Sequence, residues 1–316
     1  MDATEGLRIV NAIKDNVNGT LIGKEDVTEL VLCGIIAGGH ILIEDTPGTG
    51  KTLMAKLIAA SVSGDFARIQ FTPDLLPADI TGLNIYDRSR EQFEFVRGPV
   101  FTNVLLADEL NRATPRTQSA LLEAMEERQV TVDGNTYILS EPFTVIATEN
   151  PIETAGTFPL PEAQLDRFIM HLSMGSLSAD EEVRMLDTVN GRSMPEARAV
   201  CTCADITEIS ALAEKVFVHG DLKEYIVKLV HKTRENSSVR MGVSPRGTLW
   251  LLRAARAYAF IKGRDFVLPD DIKVLAPHVL AHRMIAYSAG DMEGKRRIIN
   301  EILNAVEVPT EDWSKG

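Results

Sequence analysis

The chain has 316 residues, 45% of them hydrophobic and 25% charged, an ordinary composition for a folded protein of one or two domains. Its 45 acidic and 33 basic side chains give a net charge of −12, which disfavours nucleic acid as the main partner because nucleic-acid binders usually present a basic face. No apolar run reaches the ~18 residues that cross a bilayer, and residues 1–5 are acidic where a secretory signal is basic. We therefore expect a cytoplasmic protein with no membrane span.

Short apolar segments predict strands in the first half of the chain. At least three of them are almost continuously apolar, which is typical of parallel strands covered on both faces. Helical patterns over residues 53–61 and 117–128 fall between them. The predicted strands lie at residues 40–43, 66–71, 104–107 and 143–147. This alternation predicts an α/β fold with three αβα layers and a mostly parallel sheet.

After about residue 175 the strand patterns give way to helical ones. Asp205 and Ser244 are predicted to be helix N-caps, with proline directly after Ser244. The predicted helices cover residues 178–190, 205–216, 221–234, 244–262, 269–284 and 291–306. We therefore predict an α/β domain over residues 1–175, followed by an all-α domain over residues 176–316.

A glycine-rich loop follows the first predicted strand and opens a predicted helix, an arrangement that presents backbone N–H groups to phosphate. Its glycines let the backbone close around phosphate oxygens, Lys51 is expected to reach the outer phosphates, and Thr52 to bind Mg²⁺. The usual pattern has glycine at position 45; Asp45 replaces it here and is a residue that tolerates positive φ. The predicted nucleotide-binding residues are Asp45, Thr46, Pro47, Gly48, Thr49, Gly50, Lys51, Thr52 and Leu53.

Polar side chains follow two other predicted strands. Asp108 and Glu109 end one of them, where Asp108 is expected to hold Mg²⁺ and Glu109 to activate the attacking water. Asn150 follows the next strand and could contact the γ-phosphate, although Asn before proline is also a turn signal. Together with the loop, these residues predict ATP and Mg²⁺ as the ligands of the site.

Long segments of the chain resemble the MoxR family of AAA+ ATPases. They are residues 70–82, 98–101, 105–113, 118–130, 158–168 and 244–246, and matched strings extend over most of residues 20–285. The family commonly has a residue other than glycine at the first loop position, as here. The resemblance implies a P-loop domain followed by a helical lid domain.

The resemblance also implies roles for individual residues. Ile22 and Gly23 match the segment that lies against adenine, and Asn150 matches sensor 1. Arg246 matches sensor 2, which reaches the γ-phosphate from the lid. Arg167 matches the arginine finger that acts on the ATP of the neighbouring subunit, a role suited to a guanidinium because its planar fork matches phosphate oxygens. A finger that acts in trans implies a ring of copies, a hexamer by family analogy.

Two predicted hairpins lie outside the catalytic residues. One covers residues 85–96 and has a charged tip, and the other covers residues 129–138 with Asp133-Gly134 as its turn. They resemble the helix-2 insert (about 71–97) and the pre-sensor-1 hairpin (about 129–140) of this AAA+ branch. As a hypothesis they contact substrate; the alternative is that they only extend the fold.

The resemblance suggests an ATP-driven chaperone that remodels or matures protein clients, with a partner that carries a von Willebrand factor A domain. A nucleic-acid motor is one alternative, because the same branch contains helicases, and the net charge opposes it. A scaffold that holds ATP without hydrolysing it is opposed by the Asp108-Glu109 pair. A chelatase-type motor subunit also stays open.

Overall fold

The computed structural model describes residues 1–46, 48–150, 156–189, 198–287, 291–310 and 313. The strands are β1 (Ile41–Glu44), β2 (Phe66–Gln70), β3 (Gly82–Asp87), β4 (Gln92–Arg97), β5 (Val104–Asp108), β6 (Gln129–Val132), β7 (Asn135–Ile138), β8 (Thr144–Glu149), β9 (Met170–Leu172), β10 (Val239–Met241) and β11 (Ile285–Ala286). Five of them form a parallel sheet in the order β2-β5-β8-β1-β9. The four predicted strands are confirmed, whereas β9 is too short for its three residues to show a pattern.

The helices are α1 (Ala3–Asn18), α2 (Glu25–Ile36), α3 (Lys51–Ser61), α4 (Pro77–Thr81), α5 (Pro115–Glu127), α6 (Glu162–Leu165), α7 (Ala179–Val189), α8 (Cys203–Ala213), α9 (Gly220–Glu235), α10 (Pro245–Ile261), α11 (Pro269–Leu280) and α12 (Met292–Ala305). Within the described ranges, none is both long and apolar enough to cross a membrane.

Two hydrophobic cores cover the faces of the sheet, because successive strand residues point to opposite sides. Ile41 and Ile43 join the core that α1, α2 and α3 complete, and Leu42 joins the core that α5 completes. This arrangement confirms the predicted αβα fold. The larger core also takes in side chains of α8 to α12, and Glu29 of α2 pairs with Lys262 at 2.5 Å just after α10. The domain boundary at residue 175 therefore stays a prediction.

Both predicted hairpins are present, as the antiparallel pairs β3–β4 and β6–β7. Asp133 and Gly134 have φ of 49° and 81°, as a tight two-residue turn requires. The hairpins lie against each other: Asn84 donates a hydrogen bond to the Asp133 carboxylate at 2.7 Å, and the rings of Phe95 and Tyr137 stack with centroids 4.1 Å apart. The two hairpins thus form one joint projection.

Helices α7 to α12 confirm the helical second half, although the short strands β10 and β11 form an antiparallel pair within the segment predicted to be all-α. One predicted cap is wrong. Thr202, not Asp205, caps α8, and Asp205 completes a capping box by accepting the Thr202 N–H at 2.7 Å. Ser244 precedes α10 as predicted, yet its hydroxyl donates to Asp166 at 3.1 Å instead of capping the helix. The predicted helix over residues 178–190 is confirmed to residue 189, and Asn190 lies outside the described residues.

Candidate nucleotide site

The predicted phosphate loop lies between β1 and α3, at the carboxyl-terminal edge of the sheet. Gly48 and Gly50 have φ of 86° and 94°, in the left-handed region that favours glycine. A Cβ at Gly50 would also lie 2.7 Å from Leu21 Cδ1, so the Leu21 side chain would have to shift to admit one. Lys51 Nζ donates to the carbonyl oxygens of Asp45 at 2.8 Å and Thr46 at 3.1 Å, which holds its ammonium group over the loop. Pro47 lies outside the described residues.

Asp45 is tolerated for a different reason from the one expected. Its φ is not positive, so a left-handed turn plays no part. Instead, Asp45 Oδ2 accepts the backbone N–H groups of Met174 at 2.8 Å and Gly175 at 3.1 Å, and Oδ1 accepts the N–H of Thr46 at 2.7 Å. The carboxylate therefore ties the phosphate loop to the segment that leads from β9 into α7.

Asp45→Asn is expected to lower the free energy of unfolding by about 1–2 kcal/mol, because an amide has one acceptor oxygen and in either orientation its nitrogen faces an N–H donor. Chemical denaturation measures the change. Asp15→Asn, at an exposed position in α1, is the matched control and should leave stability unaltered. Equal stability of Asp45→Asn and the wild type would show that these hydrogen bonds do not hold the loop.

A cavity of about 610 Å³ opens beside the loop, a size usual for a small-molecule site. The phosphate loop forms one wall, and apolar side chains form another. Gly23 lies next to this cavity with φ of 67°, and a Cβ there would lie 2.6 Å from the Glu181 carboxyl group. The described apolar lining includes Leu21, Ile22, Leu53, Leu177 and Met185. This combination suits a nucleotide, with its base on the apolar wall and its phosphates on the loop.

The two predicted acids lie at the same edge of the sheet and share one hydroxyl. The backbone N–H of Glu109 donates to Thr148 Oγ1 at 2.9 Å, and that hydroxyl donates to Asp108 Oδ1 at 3.1 Å. Thr148 is 2% exposed on β8, and Glu109 has φ of 55°. The buried hydroxyl thus fixes the strained backbone of Glu109 and one oxygen of Asp108 together. Asn150, which is buried, lies two residues further along the chain.

Each acid also has an arginine partner. Arg68 Nε lies 2.7 Å from Asp108 Oδ2, and an Arg112 guanidinium nitrogen lies 2.8 Å from Glu109 Oε2. Burial lowers the pKa of Lys51, while the negative charges of Asp45, Asp108 and Glu109 oppose that shift. The Lys51 ammonium group is therefore close enough to these carboxylates to interact with them electrostatically.

A buried carboxyl group lies beneath the loop. Glu44 and Glu149 are paired in register at the ends of β1 and β8. Burial, and after it the charge of Glu44, raises the pKa of Glu149 to about 7. A hydrogen bond from His171, 3.1 Å away, lowers the pKa of Glu44. Near pH 7 the pair therefore carries less than two full negative charges.

The two predicted phosphate-contacting arginines lie together, away from this cavity. Arg167 Nε is 3.1 Å from Glu126 Oε2, and an Arg246 guanidinium nitrogen is 2.7 Å from Glu126 Oε1. Asp166 Oδ2 lies 4.0 Å from Arg246 Nε. One carboxylate of α5 therefore bridges an arginine that precedes β9 and an arginine of α10.

This pair of arginines lies toward the amino-terminal edge of the sheet. Both line a second cavity of about 260 Å³, whose wall includes Gly38 and His40, just before β1. The phosphate loop follows β1, so the strand, about 13 Å long at ~3.3 Å per residue, separates the two edges. Arg246 was expected to reach a γ-phosphate from the lid; in this structure its guanidinium lies beside Arg167 and not beside the phosphate loop of its own chain.

Several residues of the site were not found from the sequence. Thr148 directly follows the predicted strand over residues 143–147, and its only signal was a polar side chain between that strand and Asn150. Arg68 and Glu126 had no signal, because their partners are more than 30 residues away. Only the fold brings them together.

Comparison with known proteins agrees with this geometry. Residues 40–170 match the family model for ATPases associated with various cellular activities, and residues 231–302 match the AAA lid domain. Chaperone MoxR1 of Mycobacterium tuberculosis is 41% identical over 93% of this chain and 80% of its own length. The protein YeaC of Bacillus subtilis is 48% identical over 94% of each chain.

A solved structure from Cytophaga hutchinsonii superposes with a TM-score of 0.90 at 40% identity, and the match covers 98% of this chain and 97% of that one. The resemblance found in the sequence segments is thereby confirmed across almost the whole chain. The chain belongs to the MoxR family of AAA+ ATPases.

Proposed function

We propose that this chain hydrolyses ATP to ADP and phosphate, with Mg²⁺, in the cytoplasm. The observation that carries the proposal is the convergence of Lys51, Asp108 and Glu109 at one edge of the sheet, with Thr148 joining the two acids. The adjoining cavity has an apolar wall for the base and a loop of N–H groups for the phosphates.

Each residue has a defined task in this proposal. Lys51 and the loop N–H groups bind the outer phosphates, and Glu109 orients the attacking water and accepts its proton. Thr52 and Asp108 offer the oxygen ligands that Mg²⁺ prefers, and the bound ion supplies charge neutralisation at the β- and γ-phosphate oxygens. Asn150 helps to place the water.

The proposed active unit is a ring of copies. Arg167 and Arg246 lie at the edge opposite the phosphate loop of their own chain, which supports a role for them at the site of a second copy. In that position both would stabilise charge on the transferred phosphoryl group of the neighbour's ATP. Six copies are proposed by family analogy.

We further propose a chaperone role, in which the ring acts on protein clients with a partner that carries a von Willebrand factor A domain. The support lies in the relative named a chaperone and in the joined hairpins. Their surface carries exposed apolar side chains beside its charged ones: Phe93 is 71% exposed and Ile138 80% exposed. Such exposed apolar groups are typical of protein contacts. The helix-2 insert and pre-sensor-1 hairpin are therefore the proposed client-contacting elements, at the edge of an α/β domain over 1–175 with a lid over 176–316.

The alternatives keep distinct signatures. A nucleic-acid motor of the helix-2-insert branch would bind DNA or RNA with an affinity that falls steeply with salt. A chelatase-type motor subunit would drive metal insertion and not the remodelling of a protein client. The net charge of −12 favours a protein client over nucleic acid.

The ATPase rate per subunit is expected to rise by about 10³-fold or more as protein concentration converts single copies into rings, because each site needs arginines from a second chain. Coupled-enzyme assays and sedimentation over the same range measure rate and assembly together. Lys51→Ala should assemble yet stay inactive. A rate per subunit that remains constant while monomers become rings would contradict the shared site.

A further inference from the structure

The carboxylate of Glu126 forms an ion pair with each of the two arginines, one through each of its oxygens. Oε2 contacts Arg167 and Oε1 contacts Arg246, at 3.1 and 2.7 Å. A phosphate group that bound both guanidiniums would use two of its oxygens in the same way, because carboxylate and phosphate present similarly spaced acceptors to arginine. The carboxylate therefore occupies the bridging place that a shared phosphate would need.

The other acid near the two arginines, Asp166, makes its closest hydrogen bonds to other residues. Asp166 Oδ1 accepts from Arg283 Nε at 2.8 Å, and its Oδ2 accepts from Ser244. Arg283 is 4% exposed, so the Asp166 carboxylate is needed to neutralise its buried guanidinium and contributes less to neutralising Arg246. Glu126 thus supplies the principal counter-charge for the two arginines.

The position of Glu126 makes its carboxylate easy to displace. It lies in the last turn of α5, where the helix dipole disfavours negative charge. Its side chain is 35% exposed, so water can solvate the carboxylate once it leaves the arginines. The cavity that it faces is cationic, since four arginines line it: Arg128, Arg167, Arg246 and Arg253. An entering anion would therefore remain attracted after Glu126 is released.

We propose that Glu126 is an intramolecular competitor for the phosphate that Arg167 and Arg246 bind together. The proposal rests on the proposed function, in which these arginines act on a neighbour's nucleotide. Glu126 keeps the guanidiniums side by side, and the terminal phosphate of the neighbouring copy must replace it. The exchange couples capture of that phosphate to release of the link between α5 and α10, because Glu126 pairs with an arginine of α10.

The test uses full-length chain with Lys51→Ala, which disables the phosphate loop, and inorganic tripolyphosphate as the probe in titration calorimetry. Adding Glu126→Gln is expected to tighten tripolyphosphate binding about three- to tenfold, because exposed ion pairs of this kind contribute modestly and two are removed. Glu127→Gln, an equal charge change at the exposed neighbouring position, should leave affinity unaltered. Adding Arg167→Ala should abolish the gain.

Unaltered or weaker binding by Glu126→Gln would overturn the proposal, and so would a gain that survives Arg167→Ala. Melting temperatures of all variants check that each chain is folded. The measurement needs no assembly, so it is independent of the concentration dependence that tests the shared site. The ATPase rate could depend on protein concentration while the affinity for tripolyphosphate is the same with and without Glu126→Gln. That result would overturn the competitor role of Glu126 and leave the shared site standing.

Discussion

Arg167→Ala and Arg246→Ala are each expected to lower the ATPase rate of the assembled protein by about 10³-fold or more, the range known for arginines that act in trans on a phosphoryl group. Both guanidiniums share Glu126 at the edge opposite the phosphate loop, so both should belong to the same half of a composite site. Steady-state rates at saturating protein concentration measure the loss. Arg8→Ala, at a surface ion pair with Glu5, is the control and should keep full activity.

Mixtures of variants identify which chain supplies each residue. Glu109→Gln mixed with either arginine variant should regain activity, because some interfaces then combine an intact acid with two intact arginines. Arg167→Ala mixed with Arg246→Ala should stay inactive, since no chain offers both arginines. The reverse pattern, with activity in the second mixture and none when Arg246→Ala meets Glu109→Gln, would place Arg246 on its own chain's nucleotide.

Thr148→Val is expected to lower kcat about 10²-fold while the affinity for nucleotide changes little. The variant keeps the volume of the side chain but removes the hydroxyl that accepts from the Glu109 N–H and donates to Asp108. A displacement of the catalytic carboxylate by about 1 Å is enough for such a loss. The unsatisfied N–H should also lower the free energy of unfolding by about 1–3 kcal/mol. Single-turnover hydrolysis and nucleotide titration separate the two effects.

Thr144→Val is the matched control, because Thr144 begins the same strand and is also 2% exposed. It introduces the same change without touching the acids, so hydrolysis should continue at the wild-type rate. An undiminished kcat in Thr148→Val would mean that Glu109 is held by its remaining contacts, such as Arg112.

The sequence was sufficient for those parts of the molecule that depend on neighbouring residues. Apolar runs located four strands of the sheet, Asp133-Gly134 located a hairpin turn, and the glycine loop located the candidate phosphate site. Contacts between distant segments could not be read in this way. Asp45 was expected to be tolerated through its own φ, yet it bonds to residues 174 and 175. Similarly, the sequence predicted that a helix begins near Arg246, but it could not predict toward which edge of the sheet the Arg246 guanidinium points.

The parallel direction of the strands gives the subunit a polarity. The phosphate loop lies where strands end and the arginine pair lies where they begin, so in the proposed ring these two surfaces of one chain would face different neighbours. Contacts of this kind are heterologous, and they close into a ring or continue as a filament, whereas a two-fold dimer would leave sites unmatched. In a closed ring, the arginine pair of each chain would contact the nucleotide of one neighbour, and the nucleotide of that chain would be contacted by the arginine pair of the other neighbour. Information about bound nucleotide would then pass in a single rotational sense.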